Sequence, residues 1–130
     1  MSKLELNQIY LELEFQIKRL GQSNLQIYRD IMREDAQDVI SMLRTEIDGW
    51  IKNLNDRTIS CYDIERLLQA QKNNIKLERL KSKNVDEKEL EIFRNDIMRM
   101  IAKAIMNTYL ESLFRNQTRR TNESDNLYEA

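Results

Sequence analysis

Proline is absent from all 130 residues and glycine occurs only twice, so almost nothing in this chain interrupts a helix. Inside a helix, proline costs about 3 kcal/mol and glycine about 1 kcal/mol relative to alanine, and tight turns between strands draw on both. Apolar residues recur at three- and four-residue spacing along most of the length, which is how helices with one buried face read. An all-α protein follows: an antiparallel helical bundle of about four helices, with one or two unusually long helices and short connections. A single domain is expected over 1–116. The polar stretch 117–130 holds too few apolar residues to stay ordered in isolation.

The first helix is expected from Lys3 to Leu20, opened by a capping box of Ser2 and Glu5 and closed by Gly21. Its inner face is Leu6, Ile9, Tyr10, Leu13, Ile17 and Leu20. The run Ile9, Leu11, Leu13, Phe15, Ile17 also alternates as a strand would, but the Glu, Gln, Lys and Leu content and the lack of a hairpin turn favour helix. A second helix, capped by Ser23 or Asn24, reaches Leu54; Gly49 is its locally weakest point, where a break or bend could fall, and its continuity stays open. Ile59, Ser60, Asp63 and Ile64 predict the start of a third helix by a capping box under a hydrophobic staple, and that helix runs to the link Ser82–Asn84. Val85, Asp86, Glu89 and Leu90 repeat the spacing for a fourth, from Glu87 to Phe114. Its buried side is Leu90, Phe93, Ile97, Ile101, Ala104, Ile105, Thr108 and Leu113.

Chemistry has few footholds. Without histidine, neither Ser-His-Asp nor Cys-His nucleophiles exist, and histidine-dependent zinc or di-iron centres are excluded. Cys61 stands alone, so no disulfide forms within the chain, and a reducing compartment suits it. At the start of helix three its thiol would feel the helix dipole, although a small half-buried residue is the plainer role. Residues 1–10 lack the features of a signal peptide, and no run approaches the roughly 18 apolar residues of a membrane span. A cytoplasmic protein is expected, with no catalytic residue, metal or cofactor.

Three surfaces remain. Asp30, Glu34 and Asp38, with Asp35 beside them and Glu12 and Glu14 on the first helix, are the carboxylates a magnesium-dependent phosphohydrolase would need; the interleaved Arg29 and Arg33 favour an ordinary solvated face. Lys72, Lys76, Arg79 and Lys83 fall on one arc of a continuous third helix, and Arg115, Arg119 and Arg120 form a second basic group. Residues 57–120 carry 14 basic and 9 acidic side chains, a net of +5, so a nucleic acid or an acidic partner could meet them, although no aromatic lies between Tyr62 and Phe93 to stack on a base. Leu77 and Leu80 fall off the apolar arc, so the third helix is either contacted on two sides or has ended before them. Trp50, Met98, Ile101, Ile105 and Tyr109 are the candidate interface, because tryptophan and methionine are favoured at contact surfaces, although core packing is the commoner use of the aromatic and methionine side chains. The leading expectation is a non-catalytic interaction or assembly protein, acting as a homo-oligomer or with a protein partner. A nucleic-acid accessory protein and the phosphohydrolase are the alternatives.

Overall fold

The computed structural model describes residues 6–19 and 28–129, with side chains over 6–19 and 28–113. Among these residues the chain forms five α-helices: α1 (Leu6–Arg19), α2 (Arg29–Asn55), α3 (Tyr62–Ala70), α4 (Glu78–Ser82) and α5 (Glu87–Glu129), with a 3₁₀ turn at Lys72–Asn74. The all-α bundle with two long helices, α2 and α5, is as the apolar spacing predicts. The caps expected at Ser2, Glu5, Ser23 and Asn24, and the stop at Gly21, lie outside the described residues. Helix α5 continues past the expected end at Phe114 through 117–129, and the domain boundary at 116 stays an expectation.

The core is one apolar cluster. Ile9, Leu13 and Ile17 of α1 meet Met32, Ala36, Val39, Leu43, Ile47 and Ile51 of α2 and the Leu90–Ile105 face of α5. Two polar ties fix α1 against α2: the Tyr10 hydroxyl donates to Asp48 Oδ1 at 2.6 Å, and Arg33 Nη2 donates to the Lys18 carbonyl at 2.5 Å. Low numbers in α1 thus meet high numbers in α2, so the two run antiparallel. Burial, then the Asp48 hydrogen bond and charge, push the Tyr10 phenol above its ordinary value, while the Arg44 guanidinium 4.6 Å over its ring pulls the other way. Leu113, expected inside, is 42% exposed.

Local chemistry ends and starts these helices as it should. After α2, Arg57 takes a left-handed φ of 61°. Its N–H donates to the Leu54 carbonyl and that of Thr58 to the Asn53 carbonyl, which is the Schellman closure. Asn84 (φ 58°) closes α4 identically, through Asn84 N–H to Lys81 and Val85 N–H to Leu80. At α3, Cys61 already has helical dihedrals, so Ser60 is the capping residue. Its N–H donates to Asp63 Oδ2 at 2.8 Å, and Ile59 and Ile64 pack beneath.

Helix α2 is continuous through Gly49, which answers the question left open at that position. A Cβ built there meets nothing within 4 Å, so glycine serves no packing role and weakens the helix. Gly49→Ala should therefore stabilise the fold by about 0.5–1 kcal/mol, read as a higher urea midpoint with unchanged m-value. A loss of stability would mean that this position must flex.

The third helix departs from expectation. It stops at Ala70, and a 3₁₀ turn, an extended stretch from Ile75 and the short helix α4 replace the continuous helix to Ser82. Leu77 enters the left-handed region (φ 51°), which costs a branched-chain residue roughly 1–2 kcal/mol. In return Ile75, Leu77 and Leu80 are all buried, which one straight helix could not achieve alongside Ile64 and Leu68. Of the two readings open for this segment, the helix has ended.

Two buried charged side chains clamp that connection. From α2, Asp35 is 3% exposed and accepts the Leu80 N–H at 2.9 Å and the Arg79 N–H at 3.3 Å. It thereby caps the free donors of α4 from another helix. From α5, Arg94 is 8% exposed, donates from Nε to the Ile75 carbonyl at 2.7 Å, and pairs with Glu91 at 2.6 Å.

Candidate interaction surface

The basic stripe depended on a continuous helix, and the break at Ala70 dissolves it. Lys72 lies in the 3₁₀ turn and pairs with Glu91 of α5. Arg79, on α4, reaches back to Glu34 at 3.2 Å and Asp38 at 3.5 Å on α2. Lys76 and Lys83 are exposed in the connections before and after α4. Arg115, Arg119 and Arg120 follow on α5, with side chains outside the described residues. A shallow groove between α3 and α5 gathers three cations, Arg66, Lys72 and Arg99. Each has its own carboxylate, Asp63, Glu91 and Asp96 respectively, so the groove is nearly neutral. Lys72, ahead of Arg94, holds Glu91 below its ordinary value, and the Ser60 N–H does the same for Asp63.

The acidic residues of α2 do not converge either. Asp35 points inward to α4, Glu34 and Asp38 face Arg79, and Asp30 is exposed. Glu12 accepts from Gln16 within α1 at 2.9 Å. Among the described residues, no three His, Cys, Asp or Glu side chains are grouped to hold a metal ion. No described helix is long and apolar enough to cross a membrane. Cys61 has its thiol pushed up from the ordinary value by burial.

Trp50, Met98, Ile101 and Ile105 are buried in the chain's own core, and Tyr109 is half-buried against it. Tryptophan and methionine are as useful in a core as at an interface, and here Trp50 and Met98 belong to the one buried apolar cluster.

Several large apolar side chains stand in water elsewhere, among them Tyr62, Ile92 and Met42. On α1, Leu11 is 64% and Phe15 54% exposed; on α5, Leu110 is 55% exposed. Two residues along a helix is a step of about 200°, so Leu11 and Phe15 lie almost opposite Leu13. The alternation of Ile9, Leu11, Leu13, Phe15 and Ile17 is therefore a helix with two apolar faces, one inward and one outward. The outer face borders a furrow of about 640 Å³ between α1 and α5, walled by Leu11, Phe15 and Leu110. Gln8, Asn107 and buried Thr108 add polar groups, and among the described lining residues Glu12 and Glu111 are the charged ones. The Thr108 hydroxyl already donates to the Ala104 carbonyl at 2.8 Å. One face of Phe15 is covered by Arg19, whose guanidinium carbon lies 5.6 Å from the ring centroid.

Comparison with protein-family models, with curated proteins and with solved structures gives no match for this chain. The fold and surface define its class as an all-α bundle whose first helix is apolar on both sides.

Proposed function

We propose that this chain is a non-catalytic helical assembly protein, working by self-association or as a subunit of a larger complex. The observation that carries this reading is the outer apolar face of α1. A folding core needs only Ile9, Leu13 and Ile17 from this helix, and all three are buried. Leu11 and Phe15 contribute no such burial, and solvent-facing helix positions are ordinarily polar. Contiguous exposed apolar side chains on a rigid helix beside a furrow are what a partner helix binds. A single cysteine, with no second one in the sequence to form a disulfide, suits a reducing, cytoplasmic setting.

The test separates contact from folding, and needs no knowledge of the partner. Leu11→Ser/Phe15→Ser, unfolded in urea at low protein concentration, is expected to stay within about 0.5–1 kcal/mol of the wild type, because surface changes away from packing sites cost little. A loss of several kcal/mol would show that these side chains serve the fold, and the assembly reading would fall.

A further inference from the structure

We infer that residues 72–85 form a strap that leaves the bundle and returns as one unit while α1, α2, α3 and α5 stay folded. This goes beyond the assembly reading above and does not depend on it. The strap bridges two helices: α3, just before it, lies on α5, and α4, within it, lies on α2. Its backbone hydrogen bonds close on themselves. The Ile75 N–H donates to the Lys72 carbonyl, Lys81 to Leu77, Lys83 to Leu80, Asn84 to Lys81 and Val85 to Leu80, and the Asn74 N–H reaches back only to Gln71. Among the described residues, no backbone hydrogen bond joins the strap to α1, α2 or α5. Releasing it therefore breaks no turn of another helix.

Side chains hold the strap in place. Ile75, Leu77 and Leu80 are buried anchors, and the residues between them are all exposed. The polar ties each use a charge: Asp35 to the Arg79 and Leu80 N–H groups, Arg94 to the Ile75 carbonyl, Lys72 to Glu91, and Arg79 to Glu34 and Asp38. Three effects make release easier than the burial of its anchors alone would allow. Leu77 gives up its left-handed conformation, φ 51°. Asp35 and Arg94 regain the hydration that burial withholds from them. The ion pairs of Lys72 and Arg79 are partly in water already and add little. Exposed asparagines stand at both ends, Asn73 and Asn74 before the anchors and Asn84 after them. Release uncovers the apolar surface beneath the anchors and opens the Asp35 carboxylate and the Arg94 guanidinium to water. The strap thus hides in one state what it exposes in the other.

The experiment is native-state amide hydrogen exchange on the full wild-type chain, in urea concentrations below the unfolding transition. The amides of Leu80, Lys81 and Asn84 are expected to share one protection factor, at least about a hundredfold below that of residues 97–105 in α5. They should also share one shallow urea dependence, because the opening exposes little surface, while residues 97–105 show the steep dependence of global unfolding. A second readout follows an anchor. In a Cys61→Ser background, a thiol reagent should modify Leu80→Cys at least about a hundredfold faster than Ile101→Cys. Should either cysteine variant fail to fold, the wild-type amides decide alone. Strap amides that match residues 97–105 in protection and urea slope overturn the inference, since the fold then opens only as a whole. Strap amides that differ among themselves and ignore urea overturn the single unit, since the segment then frays residue by residue. A Leu80→Cys thiol no faster than Ile101→Cys overturns release of the anchors.

Discussion

Replacing Asp35 with alanine is expected to lower the free energy of unfolding by about 3 kcal/mol and the melting midpoint by about 10 °C. The carboxylate is 3% exposed and accepts two backbone N–H groups, from Leu80 at 2.9 Å and Arg79 at 3.3 Å. Alanine leaves both donors without an acceptor in a region where water has little access. Helix α4 is only five residues long, too short to hold itself together, so it depends on this cap from α2. Asp35→Asn keeps the shape and one acceptor oxygen while losing the charge, so it should cost about half as much. Amide hydrogen exchange gives the local signature. Protection at Leu80 and Lys81 should drop in Asp35→Ala before protection in the middle of α2 or α5 changes. If α4 stays protected and the midpoint moves by less than 2 °C, roughly 0.5 kcal/mol, the carboxylate is not what holds the segment.

The dependence of α4 on Asp35 shows where sequence reading reached its limit. The start of α3 was legible because Ser60 and Asp63 are three residues apart and bond to each other. The core stripe of α2 was legible because burial follows the helical period directly. By contrast, the break after Ala70 is decided by partners 44 and 45 residues away in α2 and 19 away in α5. Nothing local forbids helix between Gln71 and Leu77. The one sign was that Leu77 and Leu80 fall off the arc of Ile64 and Leu68, and that sign does mark the end of the helix.

The candidate surface was ambiguous for a related reason. Trp50, Met98, Ile101 and Ile105 are the large apolar side chains that a core and an interface both use, and residue type cannot separate the two. Spacing can. Leu11 and Phe15 are four residues apart, as are Ile9 and Leu13, with the two pairs two residues out of step. In a helix that offset puts them on opposite sides, so an alternating run with helix-forming composition indicates a helix contacted twice. The basic residues, in turn, were counted without their partners. Lys72 and Arg79 meet carboxylates on other helices, a pairing that only the tertiary fold reveals.

The clamp on residues 75–80 has a second arm, and Arg94→Met is expected to cost about 2–3 kcal/mol. Methionine fills the same space without the guanidinium, so the Ile75 carbonyl, which now accepts from Arg94 Nε at 2.7 Å, loses its donor. Glu91 suffers less, since it keeps Lys72 and is 40% exposed. Arg94→Lys should recover little, because an ammonium cannot serve the Ile75 carbonyl and Glu91 with the geometry of a planar fork. Asp35 and Arg94 hold the same short connection from opposite sides, α2 and α5, so their effects should not add. Once either arm is lost the segment loosens, and the other has less ordered structure left to stabilise. The double variant Asp35→Ala/Arg94→Met should therefore lose about 1–2 kcal/mol less than the sum of the single losses. Urea denaturation of the four proteins measures this directly. Strict additivity would mean that the two charges stabilise separate parts of the fold, and that the left-handed turn at Leu77 is held by the burial of Ile75, Leu77 and Leu80 alone.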